Sequence, residues 1–67
     1  MEQVNKQCGQ KIRIARDKQD LLQRELADKA GVPVRTIGRI ERGEVDVRLG
    51  TLKKIATALG LTVRDLV

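Results

Sequence analysis

The chain has 67 residues, with 14 Lys and Arg against nine Asp and Glu, no histidine and a formal net charge of +5. That length holds one domain, and a domain so short buries only about 60% of the surface its unfolded form exposes, so its stability is modest. With no Phe, Tyr or Trp and a single cysteine, the composition excludes an aromatic core, an internal disulfide and a Cys/His zinc site, leaving a core of Leu, Ile, Val and Ala.

No apolar run approaches the roughly 20 residues that span a membrane, and the first ten residues, MEQVNKQCGQ, lack the apolar stretch of a signal peptide. A lone cysteine fits a reducing cytoplasm. The isoelectric point near 10.0 suits an anionic partner, nucleic acid first among them. The alternative is that the charge serves solubility alone.

From Glu2 to Lys18, Val4, Cys8, Ile12 and Ala15 recur at helical spacing and predict one amphipathic helix. Ile14 leans on the edge of that stripe, and Lys6, Lys11, Arg13 and Lys18 occupy the other faces. Gly9 weakens the helix by about 1 kcal/mol relative to alanine, so fraying of the first turns is expected. Cys8 reads as a small core residue rather than a reactive thiol. Gln19 to Leu22 is the first connection, with Leu21 and Leu22 expected to anchor it to the core.

A second helix is predicted over 23–30, with Leu26, Ala27 and Ala30 inward and Gly31 as its left-handed end. Val32, before a proline, is extended. Pro33 then opens a third helix within its first turn. That helix covers 34–42, with Ile37 and Ile40 inward and Gly43 as terminator. Gly38 in its middle marks either a close approach or a tolerated loss.

Glu44 to Arg48 is a mixed-charge loop. A fourth helix over 49–59 turns Leu52, Ile55, Ala56 and Leu59 inward and stops at Gly60, with Lys53 and Lys54 facing water. Thr62 and Asp65 form a capping box, and Leu61 and Leu66 a hydrophobic staple, around a short fifth helix over 63–66. There is no internal repeat, low-complexity tract or linker.

Within Gln23 to Gly43, two short helices joined by a glycine turn place Leu26, Ala27, Ala30, Val32, Ile37 and Ile40 on one inner surface. The polar side chains of the second of them then face outward. This is helix-turn-helix geometry, in which the second helix lies in the major groove of DNA.

The segments IRIAR (Ile12 to Arg16), LLQRELADKAGV (Leu21 to Val32), TIGRIERGE (Thr36 to Glu44) and TLKKIATALGLTVRDL (Thr51 to Leu66) resemble the Cro/phage-repressor, or xenobiotic-response-element (XRE), class of helix-turn-helix proteins. The resemblance covers nearly the whole chain from Lys11 onward. It implies an all-α, compact five-helix, lambda-repressor-like domain that binds double-stranded DNA as a transcriptional regulator, in the repressor sense, without cofactor or metal. Family members often pair an arginine late in the first helix with a glutamate near the end of the recognition helix. Arg16 and Glu41 hold those positions. Two departures remove side-chain caps worth about 1 kcal/mol each: Leu22 and Pro33 stand where the family has Ser or Thr. Glu44 and Asp46 replace the basic residues that often follow the recognition helix, which implies weaker phosphate contact from that loop.

The outward residues of the third helix are Val34, Arg35, Gly38, Arg39 and Arg42. The resemblance assigns base contacts to Val34, Arg35 and Arg39. Arginine offers two parallel donors to guanine O6 and N7, and Val34 can meet only a thymine methyl. Gly38 is expected to leave room for the groove. Gln23, Arg13, Arg16, Arg24, Thr36 and Arg42 are candidates for the DNA backbone. The arginines could instead all serve phosphates, which take about half to two-thirds of protein–DNA hydrogen bonds, and Arg24 could be a solvated charge. Proteins of this kind bind near-palindromic sites as homodimers, with half-sites about 34 Å apart. Leu59, Leu61, Val63, Leu66 and Val67 are the candidate pairing surface, or else only close the core.

The chain could equally be the DNA-binding piece of a longer repressor. No histidine, phosphate-binding glycine loop, metal-ligand cluster or nucleophile with a base points to an enzyme. The rival reading is a protein-interaction module on the same fold, such as an antitoxin. The expected setting is the cytoplasm, bacterial or phage-type and nucleoid-associated.

Overall fold

A computed structural model describes the backbone of residues 2–67 and the side chains of residues 8–67. In chain order it contains α1 (Glu2–Lys18), α2 (Gln23–Ala30), α3 (Val34–Glu41), α4 (Leu49–Ala58) and α5 (Val63–Leu66), with no strand among the described residues. The side chain of Val4, placed on the apolar stripe of α1 by its spacing, lies outside the described residues.

The helix stops share one device. α1, α2, α3 and α4 are followed by a residue at positive φ: Asp20 at 56°, Gly31 at 69°, Gly43 at 72° and Gly60 at 72°. The next N–H then reaches back over the last turn. Leu21 donates to the Arg16 carbonyl at 3.1 Å, Val32 to Ala27 at 3.0 Å, Glu44 to Arg39 at 3.0 Å and Leu61 to Ala56 at 2.8 Å. These closures satisfy carbonyls that the helix leaves orphaned. The stop after α1 uses Asp20, a residue type that tolerates the left-handed region without being glycine.

The starts differ from expectation in two places. Pro33 (φ −57°, ψ 141°) sits before the first turn of α3 as its N-cap, with its carbonyl accepting from Thr36 and Ile37, rather than inside that turn. Leu22 is the N-cap of α2 and is 53% exposed, so it does not anchor the connection. Leu21 alone of the two leucines packs against the core. A leucine at the N-cap has no acceptor to offer, yet the Glu25 carboxylate accepts from the Leu22 N–H at 2.7 Å. Half of a capping box thus survives the loss of the Ser or Thr. At α5, Asp65 accepts from both the N–H (2.9 Å) and the hydroxyl (3.0 Å) of Thr62.

Ile12, Leu26, Ile37, Ile40, Ile55 and Leu66 are fully buried, drawing every helix into one core. Ile14 is exposed rather than leaning on it. α3 is held by α1 on one side and α2 on the other. Gly9 explains how α1 comes so near: a Cβ built there would lie 2.1 Å from the Ile40 carbonyl oxygen. Glycine at this position permits close packing of two helix backbones and is not merely a weak point in α1. Two side chains close the ends of the bundle. Gln19 donates to the Leu59 carbonyl at 2.8 Å, past the end of α4, and Lys11 donates to the Val67 carbonyl at 2.7 Å.

Candidate nucleic-acid interface

α2 buries Leu26, Ala27 and Ala30, α3 buries Ile37 and Ile40, and Val32 fills the turn between them. Burying Ile37 and Ile40 fixes the rotation of α3 and turns the i, i+4, i+7 stripe of Arg35, Arg39 and Arg42 to solvent. Val34 is exposed beside the stripe and Thr36 is half-buried. Arg13 and Arg24 are exposed on α1 and α2, and Gln23 is half-buried in the first turn of α2. Arg13 lies 3.9 Å from Asp17, one turn along α1.

Behind this surface lies a clamp. Arg16 Nε meets Glu41 Oε2 at 2.7 Å and Arg16 Nη2 meets Glu41 Oε1 at 3.0 Å, a bidentate pair whose side chains are only 11% and 3% exposed. Arg16 Nη1 donates to the Leu21 carbonyl at 2.7 Å and lies 3.3 Å from Asp17. The hydrogen bond to Glu41 holds the Arg16 guanidinium even more firmly protonated than usual, against the opposing effect of burial. Nε, Nη1 and Nη2 of Arg16 each have a partner within the protein, so its guanidinium serves the clamp. Removing one member of a buried pair leaves the other charge uncompensated, at about 3–5 kcal/mol.

Gln23 is tied into the clamp. Its Nε2 donates to Glu41 Oε1 at 3.0 Å, so one carboxylate holds an arginine from α1 and a glutamine from α2. The reason for Gly38 follows. It is buried, and a Cβ there would stand 3.2 Å from Arg42 Nη1 and 3.5 Å from Gln23 Oε1. The space it leaves is filled by Gln23 and Arg42, which corrects the expectation that Gly38 faces outward and makes room for the groove.

The arginine stripe carries its own acid. Glu44 Oε2 accepts from Arg42 Nε at 2.5 Å, Oε1 lies 3.4 Å from Arg42 Nη2, and Oε1 is 3.9 Å from Arg39 Nε. The hydrogen bond from Arg42, with the nearby charges of Arg42 and Arg39, holds the Glu44 carboxyl below its ordinary range. Spacing alone gave no sign of this contact, because Glu44 comes back only when Gly43 takes a positive φ.

Elsewhere, Leu59 and Leu66 of the candidate pairing surface are buried in the core, Leu61 and Val63 pack against it, and Val67 is exposed. Among the described residues no cluster of His, Cys, Asp and Glu could hold a metal ion. Cys8 is buried, and burial pushes its thiol up from its ordinary range, as expected of a core residue. No helix among the described residues is long and apolar enough to cross a membrane.

The chain is similar to known proteins. An uncharacterized HTH-type transcriptional regulator of Sinorhizobium fredii, y4dL, is 41% identical over 54 residues, which is 81% of this chain and 28% of that protein. The restriction-modification controller protein C.AhdI of Aeromonas hydrophila superposes with a TM-score of 0.91 at 35% identity, over 94% of this chain and 96% of its own. The clp gene regulator ClgR of Corynebacterium glutamicum does so at 0.89 and 28% identity, over 94% of this chain and 67% of its own. The helix-turn-helix family HTH_3 matches residues 12–66, and with α2 and α3 forming the motif itself, the chain belongs to that family.

Proposed function

We propose that the chain binds double-stranded DNA sequence-specifically as a transcriptional regulator, acting as a repressor, with α3 in the major groove. The observation that carries this is the exposed stripe of Arg35, Arg39 and Arg42 on a helix whose rotation is fixed by Ile37, Ile40 and the buried Arg16–Glu41 pair. Arg35 and Arg39 read guanine, and Val34 meets a thymine methyl. Gln23 serves the DNA backbone at the positive end of α2. Arg13, Arg24, Thr36 and Arg42 supply further phosphate contacts. Arg16 drops out of this set and instead holds α1 to α3.

Two copies bind as a homodimer on a near-palindromic operator, one half-site each, about 34 Å apart. Selection from a random-sequence duplex pool tests the reading directly. A two-fold motif with guanines in each half-site is expected. Recovery of no motif, together with nuclease-resistant capture of a protein partner, would replace DNA binding by an antitoxin-like role on the same fold.

A further inference from the structure

We infer that Glu44 is a specificity-determining residue that divides labour between the two arginines beside it, an inference that rests on the DNA-binding reading above. The helix stops supply the first observation. The residue whose N–H closes the stop is Leu21 after α1, Val32 after α2 and Leu61 after α4, and all three pack in or on the core. After α3 the same place is taken by Glu44, which is exposed. The usual apolar contact between this position and the residue five before it is here an ionic one, from Glu44 to Arg39.

The second observation is which donors the carboxylate takes. On Arg42 it engages Nε and Nη2 together, the side of the guanidinium that could otherwise grip an anion in two-point fashion. Arg39 it meets far more loosely, with a nearest approach of 3.9 Å at Nε. At 3.9 Å or more, the carboxylate is beyond hydrogen-bond reach of the two terminal nitrogens of Arg39. Those are the parallel donors that meet guanine O6 and N7 end-on. Glu44 therefore leaves Arg39 able to read a base while discouraging both arginines from settling on phosphates, which its own charge repels. The sequence-independent part of binding falls, and the directional guanine contact remains.

Glu44→Gln keeps the shape and removes the charge. Binding is measured by fluorescence anisotropy on the operator selected by the wild-type chain and on a scrambled duplex, between 50 and 200 mM salt. The variant is expected to bind the scrambled duplex about eightfold more tightly at 0.1 M salt, with a log–log salt slope steeper by about one, as one extra counterion released would give. Operator affinity should rise by less than about half that factor, so the ratio of specific to non-specific binding falls. Equal tightening on both duplexes, or no change on either, overturns the inference while leaving DNA binding intact. A wild-type chain that selects no motif overturns the DNA-binding reading, and the inference with it. Glu44→Ala, checked alongside by circular dichroism, should repeat the result if the carboxylate charge is the cause.

Discussion

Arg39 and Arg16 lie on two helices of the same surface and do opposite work, and burial decides which does which. Arg39 is half exposed, whereas Arg16 is buried with its donors engaged. Arg39→Ala should lower discrimination at one base pair by about 1–3 kcal/mol. In competition binding against single-base operator variants the loss should map to one position. Uniform weakening across all sequences would make Arg39 a phosphate contact. Arg16→Met and Glu41→Leu should each cost about 3–5 kcal/mol, because each leaves a buried charge without its partner. The double variant should recover much of that loss, since it buries no charge. Urea unfolding of the three variants checks this, and simple addition of the two single losses would show that the pair is not coupled.

At the scale of elements, α1 and α3 approach through Gly9, and the sign of one substitution tells whether that contact governs. In a free helix Gly9→Ala would stabilise by about 1 kcal/mol. Here the added carbon would fall 2.1 Å from a backbone oxygen, so the helices must separate. A loss of about 1–3 kcal/mol is expected instead, as in overpacked cores. A rise in the urea midpoint would mean that α1 shifts at little cost.

Gly9 also marks the limit of what the chain discloses before folding. Helix positions and inward residues were legible because periodicity and glycine stops are local, and Ile12, Leu26, Ile37, Ile40 and Ile55 are buried where spacing placed them. The outward stripe Arg35, Arg39, Arg42 follows from the same period. Gly9 against Ile40, Gln23 against Glu41, and Gly38 under Gln23 join residues far apart in the chain, and spacing within one helix cannot supply them. The Arg16–Glu41 pairing came only through family resemblance. Leu22 misled because two adjacent leucines look alike in a sequence, while the N-cap geometry turns one of them outward.

For the whole molecule, size and charge together bear on whether one copy or two engages DNA. The Cα trace measures 28 × 22 × 20 Å. Copies centred on half-sites about 34 Å apart come within side-chain reach of each other only if their long axes run roughly along the DNA. Of the three exposed arginines proposed for phosphates, Glu44 holds Arg42, so each copy brings the other two, Arg13 and Arg24, whereas Gln23 and Thr36 are neutral and release no counterion. At about 0.9 counterions per phosphate contact, one copy gives a log–log salt slope near −2 and two copies a slope near −4. Between 50 and 200 mM salt the affinity should then fall by a factor of about 12 for one copy and about 150 for two. Anisotropy titrations on a single half-site and on the full operator separate these values in one experiment. A full-operator slope no steeper than the half-site slope would show that a single copy binds, and a flat response on both would remove the phosphate contacts altogether.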